Sequence, residues 1–223
     1  MGSSFNKAEA KHWGKAFDRY LRGWLPSQKD SAIIDAGCGW GRLLYFFKER
    51  KYLNIQGVDI SPEQVQLAKE ICDNVLKGDA IEHLANHPQS FDFIIGLDII
   101  EHFKKDEVFR FLEVCYKALR SGGRLVLQTP NAESPFMGKV RYGDITHELA
   151  FDPQGLRKLI LIYGFNKVEY RQTGPVVHGL LSLARFLLWK IIWICLALWS
   201  LAEIGSIGSG IYTRVFLISA VKE

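Results

Sequence analysis

The run Asp35-Ala36-Gly37-Cys38-Gly39-Trp40-Gly41 sets three glycines at alternate positions close behind an acid. Glycine lets a backbone turn tightly and lets a ligand approach it closely, so this spacing suits a loop that holds a small molecule. Asp59 stands eighteen residues beyond Gly41, at the end of the second strand expected over Asn54 to Asp59. An acid at the end of the second strand of a doubly wound sheet accepts hydrogen bonds from ribose hydroxyls, so loop and acid together point to a nucleoside-containing cofactor. The dinucleotide fingerprint GxGxxG needs glycine at position 42, where this chain has Arg42, and nicotinamide dinucleotides are thereby disfavoured.

The elements that must position these residues follow from the apolar pattern. Trp13, Phe17, Tyr20, Leu21 and Trp24 recur at helical spacing and Pro26 stops the helix, which predicts a helical extension over 1–26 ahead of a domain at 27–223. Ala32 to Asp35, Arg42 to Arg50, Asn54 to Asp59 and Pro62 to Ile71 alternate strand, helix, strand, helix, a βαβ pattern. Ser61 is placed as N-cap, Pro62 at the first helical position, and Gln64 to complete a capping box. Val75 to Lys77 reads as a third strand and the continuous apolar run Phe91 to Leu97 as a buried parallel fourth. A helix over about 106–120 is expected to end at Ser121-Gly122-Gly123, with a strand from Arg124 to Thr129 behind it. Asp152-Pro153 starts a further helix that Gly164 closes, and Phe165 to Arg171 and Ile211 to Val221 supply the last strands. The whole is a doubly wound, Rossmann-like α/β domain with an N-terminal helix and an apolar helical insertion before the last strand.

Composition agrees with that class. At 223 residues and 25.4 kDa, with 48% hydrophobic and 23% charged residues, the chain can bury a core, which excludes disorder and a disulfide-stapled miniprotein. A net charge of +4 lacks the dense basic face of a nucleic-acid binder, so no nucleic-acid partner is expected. Cysteines 38, 72, 115 and 195 are too scattered for a CxxC site and too few for a secreted framework; they read as reduced thiols of a cytoplasmic protein. Met1 to Pro26 carries Lys7, Lys11, Lys15, Arg19 and Arg22 and no apolar stretch of the signal-peptide kind, and Asn6 stands where a myristoylated Gly2 would want Ser or Thr.

The glycine loop and the ordered pieces that follow it, Gly57-Val58-Asp59-Ile60-Ser61, Gly78-Asp79-Ala80, Phe91-Asp92-Phe93-Ile94-Ile95 and Leu119 to Leu125, resemble the class I S-adenosylmethionine-dependent methyltransferases. The resemblance spans roughly 30–171 and the final strand. It implies a seven-stranded, mostly parallel sheet with an antiparallel last strand, and S-adenosylmethionine as cofactor. By the same resemblance Asp35 and the loop residues Gly37, Cys38, Gly39 and Gly41 hold the methionine end. Asp59 grips the ribose with Ile60 beside it, Asp79 meets the adenine amino group with Ala80 beside it, and Leu97 or Asp98 lines the cleft where donor and acceptor meet.

Methyl transfer from a sulfonium asks the protein to align the acceptor and, for an alcohol, to remove a proton. Asp98-Ile99-Ile100-Glu101-His102 after the fourth strand offers His102, the position expected for a base by resemblance. Tyr142-Gly143-Asp144-Ile145-Thr146-His147-Glu148 after the fifth offers Asp144 and His147, expected to shape the acceptor site, one of them as an alternative base. Asp98, Glu101 and His102 also resemble the acidic-x-x-Glu-His arrangement with which some quinone-pathway O-methyltransferases hold a divalent cation, except that the first acid is Asp where that pattern has Glu; no metal is assigned.

Between Gly174 and Tyr212 the 39 residues carry only the charges Arg185, Lys190 and Glu203 and hold three of the six tryptophans. His178 to Ala202 reads as one long helix within an insertion at 178–204. A single membrane crossing is excluded, because both flanking strands must join one sheet. The helix therefore lies in a membrane interface, forms a shallow re-entrant hairpin, or packs against the domain or a second copy of the chain in a homodimer; Trp189, Trp193, Trp199, Arg185 and Lys190 suit the headgroup boundary. The run Tyr142 to Phe151 and the segment Gly174 to Gly179, taken with the apolar helix, resemble bacterial methyltransferases associated with surface-polysaccharide biosynthesis. That resemblance implies O-methylation of a sugar hydroxyl on a glycan or lipid-linked saccharide at the cytoplasmic membrane face. The alternatives are a lipophilic quinone precursor or other lipid as acceptor, and a scaffold that binds S-adenosylmethionine without turnover.

Overall fold

Adjacent residues on the central strands send their side chains to opposite faces, and here both faces are apolar. Ile34, Ile94, Leu125 and Ile218 enter one core cluster, while Ile33, Ile95, Val126 and Leu217 enter another. Such strands need helices on both sides. The computed structural model describes residues 5–223; the reading of Gly2 and the start of the 1–26 extension lie outside the described residues.

The strands are β1 (Ile33–Ala36), β2 (Ile55–Asp59), β3 (Val75–Lys77), β4 (Phe91–Leu97), β5 (Leu119–Pro130), β6 (Asn166–Gln172) and β7 (Val215–Val221). They form one sheet in the order β3-β2-β1-β4-β5-β7-β6. β1 to β5 pair in parallel, and β7 is antiparallel to both β5 and β6, as the resemblance implied. The helices are α1 (Lys7–Tyr20), α2 (Arg42–Glu49), α3 (Pro62–Lys69), α4 (Ala80–Ala85), α5 (Lys105–Ala118), α6 (Met137–Arg141), α7 (Pro153–Ile162) and α8 (Leu180–Ile204). α1 and α2 cover the face of Ile33, and α4, α5 and α7 the face of Ile34. The strand order reverses between β1 and β4, so the carboxyl ends of these strands open a crevice.

Several boundaries differ from the sequence reading. The fifth strand starts at Leu119, not Arg124, because Leu119 pairs with Phe91 and a register shift carries Ser121-Gly122-Gly123 as an irregularity within the strand. The last strand starts at Val215, not Ile211. Before it, the Asn131 side chain takes the Ile211 and Thr213 carbonyls (2.7 and 2.9 Å), so side-chain bonds replace a strand ladder. α4 and α6 were not anticipated, and the apolar helix runs from Leu180 to Ile204 rather than 178–202. Ser61 caps α3, its Oγ accepting from Gln64 N at 3.4 Å, and Asp152 caps α7, accepting from Gly155 N at 2.7 Å.

The N-terminal segment is fastened to the sheet by Trp24, which is 2% exposed. Its indole N–H donates to Glu169 Oε2 of β6 at 3.0 Å, and the Arg171 guanidinium lies 3.7 Å from the ring centroid. On β1, Asp35 is 2% exposed, and burial, with Asp59 nearby, pushes its carboxyl up to about 8 against the opposing influence of Arg42.

Two outcomes follow. Trp24→Ala should lower the urea-unfolding free energy by about 3–5 kcal/mol and Glu169→Gln by about 1 kcal/mol; equal small effects would show that the extension is not docked through this indole. Because Asp35 titrates higher in the fold than in the unfolded chain, its contribution to stability is whole below about pH 4 and is lost as pH rises through about 8. In calorimetry of the ligand-free protein between pH 6 and 9, the Tm of Asp35→Asn should therefore fall less than that of wild type, the buried Glu101 carboxyl titrating in both; parallel curves would remove the buried-acid account.

Candidate active site

The glycine loop is built by hydrogen bonds from its own amides to β2. Gly37 N and Cys38 N both donate to Val58 O (2.8 and 3.0 Å), and Gly39 N donates to Asp59 Oδ2 at 2.8 Å. Asp59 Oδ1 accepts from Ser61 N at 2.9 Å, which ties the start of α3 to the same carboxylate. Gly37, Gly39 and Gly41 have φ of 72°, 51° and 89°, a region that favours glycine. A side chain at Gly37 would strike Ile99 (2.9 Å), and one at Gly41 would crowd Ala68 Cα of α3 (3.1 Å). At Gly39 nothing lies nearer than Gln64 Oε1 at 3.8 Å, so this glycine leaves open approach rather than close packing.

A cavity of about 460 Å³ opens beside the loop, lined among others by Gly37, Asp59, Ile60, Asp79, Ala80, Asp98, Ile99 and His102. Of the predicted residues, Asp35 and Cys38 are buried beneath the loop, with Cys38 packed beside Leu44, Val65 and Val75, so its thiol faces the core. Gly39, Gly41 and Leu97 are not among the residues lining the cavity. Asp79 also serves as the N-cap of α4, its Oδ1 accepting from Glu82 N at 2.9 Å. A glycine loop open to close approach, an acid at the end of β2, another at the start of α4 and a cavity of this size fit a nucleoside carrying an amino-acid chain.

The second part of the site joins β4 to the segment before α7. Asp98 adopts φ 54°, and both its oxygens accept from Gln128 Nε2 at 3.0 Å. The residues Ile100–His102 form a 3-10 turn. Glu101 is fully buried there: its backbone oxygen accepts from Glu148 N and Leu149 N (2.8 and 3.0 Å), and its Oε2 accepts from Thr129 Oγ1 at 3.1 Å. Burial, then the charge of Asp98, push the Glu101 carboxyl up to about 8, so it is mostly protonated at neutral pH.

These bonds bring the two predicted histidines together, with ring centroids 4.7 Å apart and planes at 70°. Thr146 Oγ1 donates to Asp144 Oδ1 (2.6 Å) and contacts His102 Nδ1 at 3.0 Å. Since that hydroxyl proton is directed to Asp144, and the Thr146 carbonyl 3.3 Å away can only accept, His102 Nδ1 carries the proton and Nε2 the lone pair. The Thr146 bonds hold the exposed Asp144 carboxyl below the usual carboxylate range. His147 Nδ1 donates to Val140 O at 3.1 Å, leaving its Nε2 a lone pair as well. Ligand atoms of Glu101, His102 and His147 lie within 4.8 Å of one another, whereas Asp98 is outside this group. Glu101 Oε1 is buried without a hydrogen-bond partner, and the group that comes together differs from the Asp98, Glu101 and His102 set of the acid-x-x-Glu-His pattern. Sequence reasoning missed Thr146 and Gln128, the residues that orient His102 and Asp98.

Residues 33–123 match a family described as a methyltransferase domain. The chain is 26% identical over 111 residues to a methoxy mycolic acid synthase of Mycobacterium tuberculosis, covering 48% of this chain and 38% of that protein. It is 27% identical over 97 residues to the cyclopropane-fatty-acyl-phospholipid synthase of Escherichia coli, covering 44% and 25%. It thus spans well under two thirds of the length of these curated relatives. Among solved structures it is similar to a SAM-dependent methyltransferase from Archaeoglobus fulgidus, with a TM-score of 0.69, 23% identity and 94% of both chains covered. It is also similar to a phosphoethanolamine N-methyltransferase of Haemonchus contortus in complex with S-adenosylhomocysteine, with a TM-score of 0.65 and 20% identity, covering 94% of this chain and 53% of that one. Over residues 33–123 the chain is thus similar to a methyltransferase domain, and its fold is that of the S-adenosylmethionine-dependent methyltransferases.

Proposed function

We propose that the protein transfers a methyl group from S-adenosylmethionine to a hydroxyl of a lipid-linked saccharide at the cytoplasmic face of a membrane. The observation that carries the oxygen acceptor is His102, on the cavity wall with Asp59 and Asp98 and held with Nδ1 as donor. S-adenosylmethionine supplies an activated methyl on a positively charged sulfur. Asp59 retains lone pairs beyond its two amide bonds for ribose hydroxyls, and the Gly37–Gly41 loop lets the methionine end approach the backbone. His102 Nε2 takes the acceptor's proton as the oxygen attacks. Asp144, acting through Thr146, is a positioning residue that fixes the orientation and tautomer of the imidazole. Protonated Glu101 anchors the turn under His102 without adding a second negative charge beside Asp98.

Membrane contact is supported by α8, whose most apolar stretch is only 11% buried although it is long enough to cross a membrane. β6 and β7 pair with each other, which is incompatible with a single crossing and supports a helix lying along the surface. A second reading, methylation of a lipid itself, is favoured by the curated relatives, whose names describe synthases of mycolic acids and of a cyclopropane fatty-acyl phospholipid. Release of S-adenosylhomocysteine with a polyprenyl-linked sugar, but not with phospholipid alone, distinguishes the first reading from the second; release with neither would leave the scaffold.

Isothermal titration should show S-adenosylmethionine binding in the micromolar range, weakened about tenfold or more by Asp59→Ala and by Gly39→Val; undiminished heats in both would defeat this cofactor site. In turnover with the saccharide acceptor, His102→Ala should lower kcat about a hundredfold or more while cofactor affinity stays within a factor of about two. Thr146→Val should lower kcat about tenfold with cofactor affinity unchanged, because the contact that fixes the His102 tautomer is lost. Full turnover by His102→Ala would instead direct attention to His147.

A further inference from the structure

We propose that a cavity at the N-terminal end of α8 seats the phosphate of an anionic membrane lipid. The inference rests on the reading that α8 meets a membrane, and it names what the adjoining surface binds. The cavity, about 430 Å³, lies between α1, the segment 173–178 and the first turns of α8. Its charged and titratable lining consists of His12, Lys15, Tyr20, His178 and Arg185, with no aspartate or glutamate among the lining residues and the Tyr20 hydroxyl donating to Gly174 O at 2.7 Å. Among the described residues neither Lys15 nor Arg185 takes part in an ion pair. Two cations, Lys15 and Arg185, with no carboxylate in the lining favour an anion from outside.

The helix adds to this potential. Its dipole places partial positive charge at the Leu180 end, and basic residues there are electrostatically unfavourable. Yet Arg185 and Lys190 lie in its first half, whereas its single acid, Glu203, is in the last turn. The dipole acts within the first turn, and an anion there meets it together with Arg185 one turn further on. Arg19 of α1 and Lys190 both approach the Phe186 ring, at 5.6 and 5.4 Å, so the basic surface continues past the cavity along the helix.

Apolar surface begins at the mouth: Leu180 is 87% and Leu181 80% exposed. Helix burial is confined to a stripe that includes Ser182 and Ala197 and is tied down by Trp193, whose indole donates to Gly210 O at 2.7 Å. A phosphate seat bordered by an exposed apolar helix matches the division of a phospholipid into headgroup and chains. β6 runs parallel to β4, because each is linked to the other through β7 and β5, so Thr173 leaves the sheet at the edge that also carries His102. The seat therefore holds lipid on the side of the molecule where methyl transfer takes place.

The test is flotation of the full chain with phosphatidylcholine vesicles containing or lacking phosphatidic acid. It compares wild type, Lys15→Gln/Arg185→Gln, and a charge-matched Lys69→Gln/Lys158→Gln control. Wild type should bind the anionic vesicles about tenfold more tightly than neutral ones, and the cavity variant alone should lose that preference while keeping its affinity for S-adenosylmethionine. If both variants lose it equally, or neither does, the headgroup seat is overturned while membrane contact stands. If wild type floats with no vesicle, the membrane reading fails and the seat with it; light scattering then reports whether a second copy covers α8. Calorimetric binding of inorganic phosphate, abolished in the cavity variant but without any preference for anionic vesicles, would overturn the lipid source in favour of a soluble phosphate ester.

Discussion

The hydrogen bond from the Gly39 amide to the Asp59 carboxylate is the point on which the site depends. It closes the loop after β1 against the end of β2, and the same carboxylate receives Ser61 N at the start of α3. One side chain thus sets the relative position of two strands' carboxyl ends and the helix behind them. Parallel pairing of β1 with β2 and β4 makes this geometry available, and the three left-handed glycines make it adoptable without strain. The burial of Asp35 belongs to the same arrangement: the acid lies beneath a loop folded close enough to deprive it of solvent.

The βαβ core was legible because each of its elements carries a local signal. Phe91–Leu97 is a continuous apolar run with a buried strand's length, and Ser61-Pro62 and Asp152-Pro153 are N-cap signatures that the structure realises. α4 was missed although Asp79 and Glu82 stand three apart, a capping pattern; its six residues gave too little periodicity to reveal it. The start of β5 was misplaced because a Ser-Gly-Gly run is a strong stop for a preceding helix. Only pairing with β4, a non-local fact, shows that it lies inside a strand.

The candidate site was legible as residue types but not as a constellation. His102 and His147 are forty-five positions apart, and their meeting depends on Glu101, whose backbone oxygen holds Glu148 and Leu149. A glutamate that uses its main chain to gather a loop and its side chain to reach Thr129 leaves no sequence pattern beyond its own letter. Thr146 likewise looks like an ordinary loop residue until it is found between Asp144 and His102. The interaction that sets a histidine's tautomer is thus the part of the site furthest from sequence reading.

The insertion enters and leaves the sheet at nearly one point. Thr173 Oγ1 donates to Val215 O at 2.9 Å and Thr173 N to Thr213 Oγ1 at 3.4 Å, so the strands before and after α8 are already fastened at its base. The thirty-nine residues from Gly174 to Tyr212 therefore hang on a narrow neck, held at their far end by Ile211 and Tyr212, which are buried against the domain. A lineage could exchange such an appendage, and with it the surface the enzyme frequents, while leaving its chemistry in place.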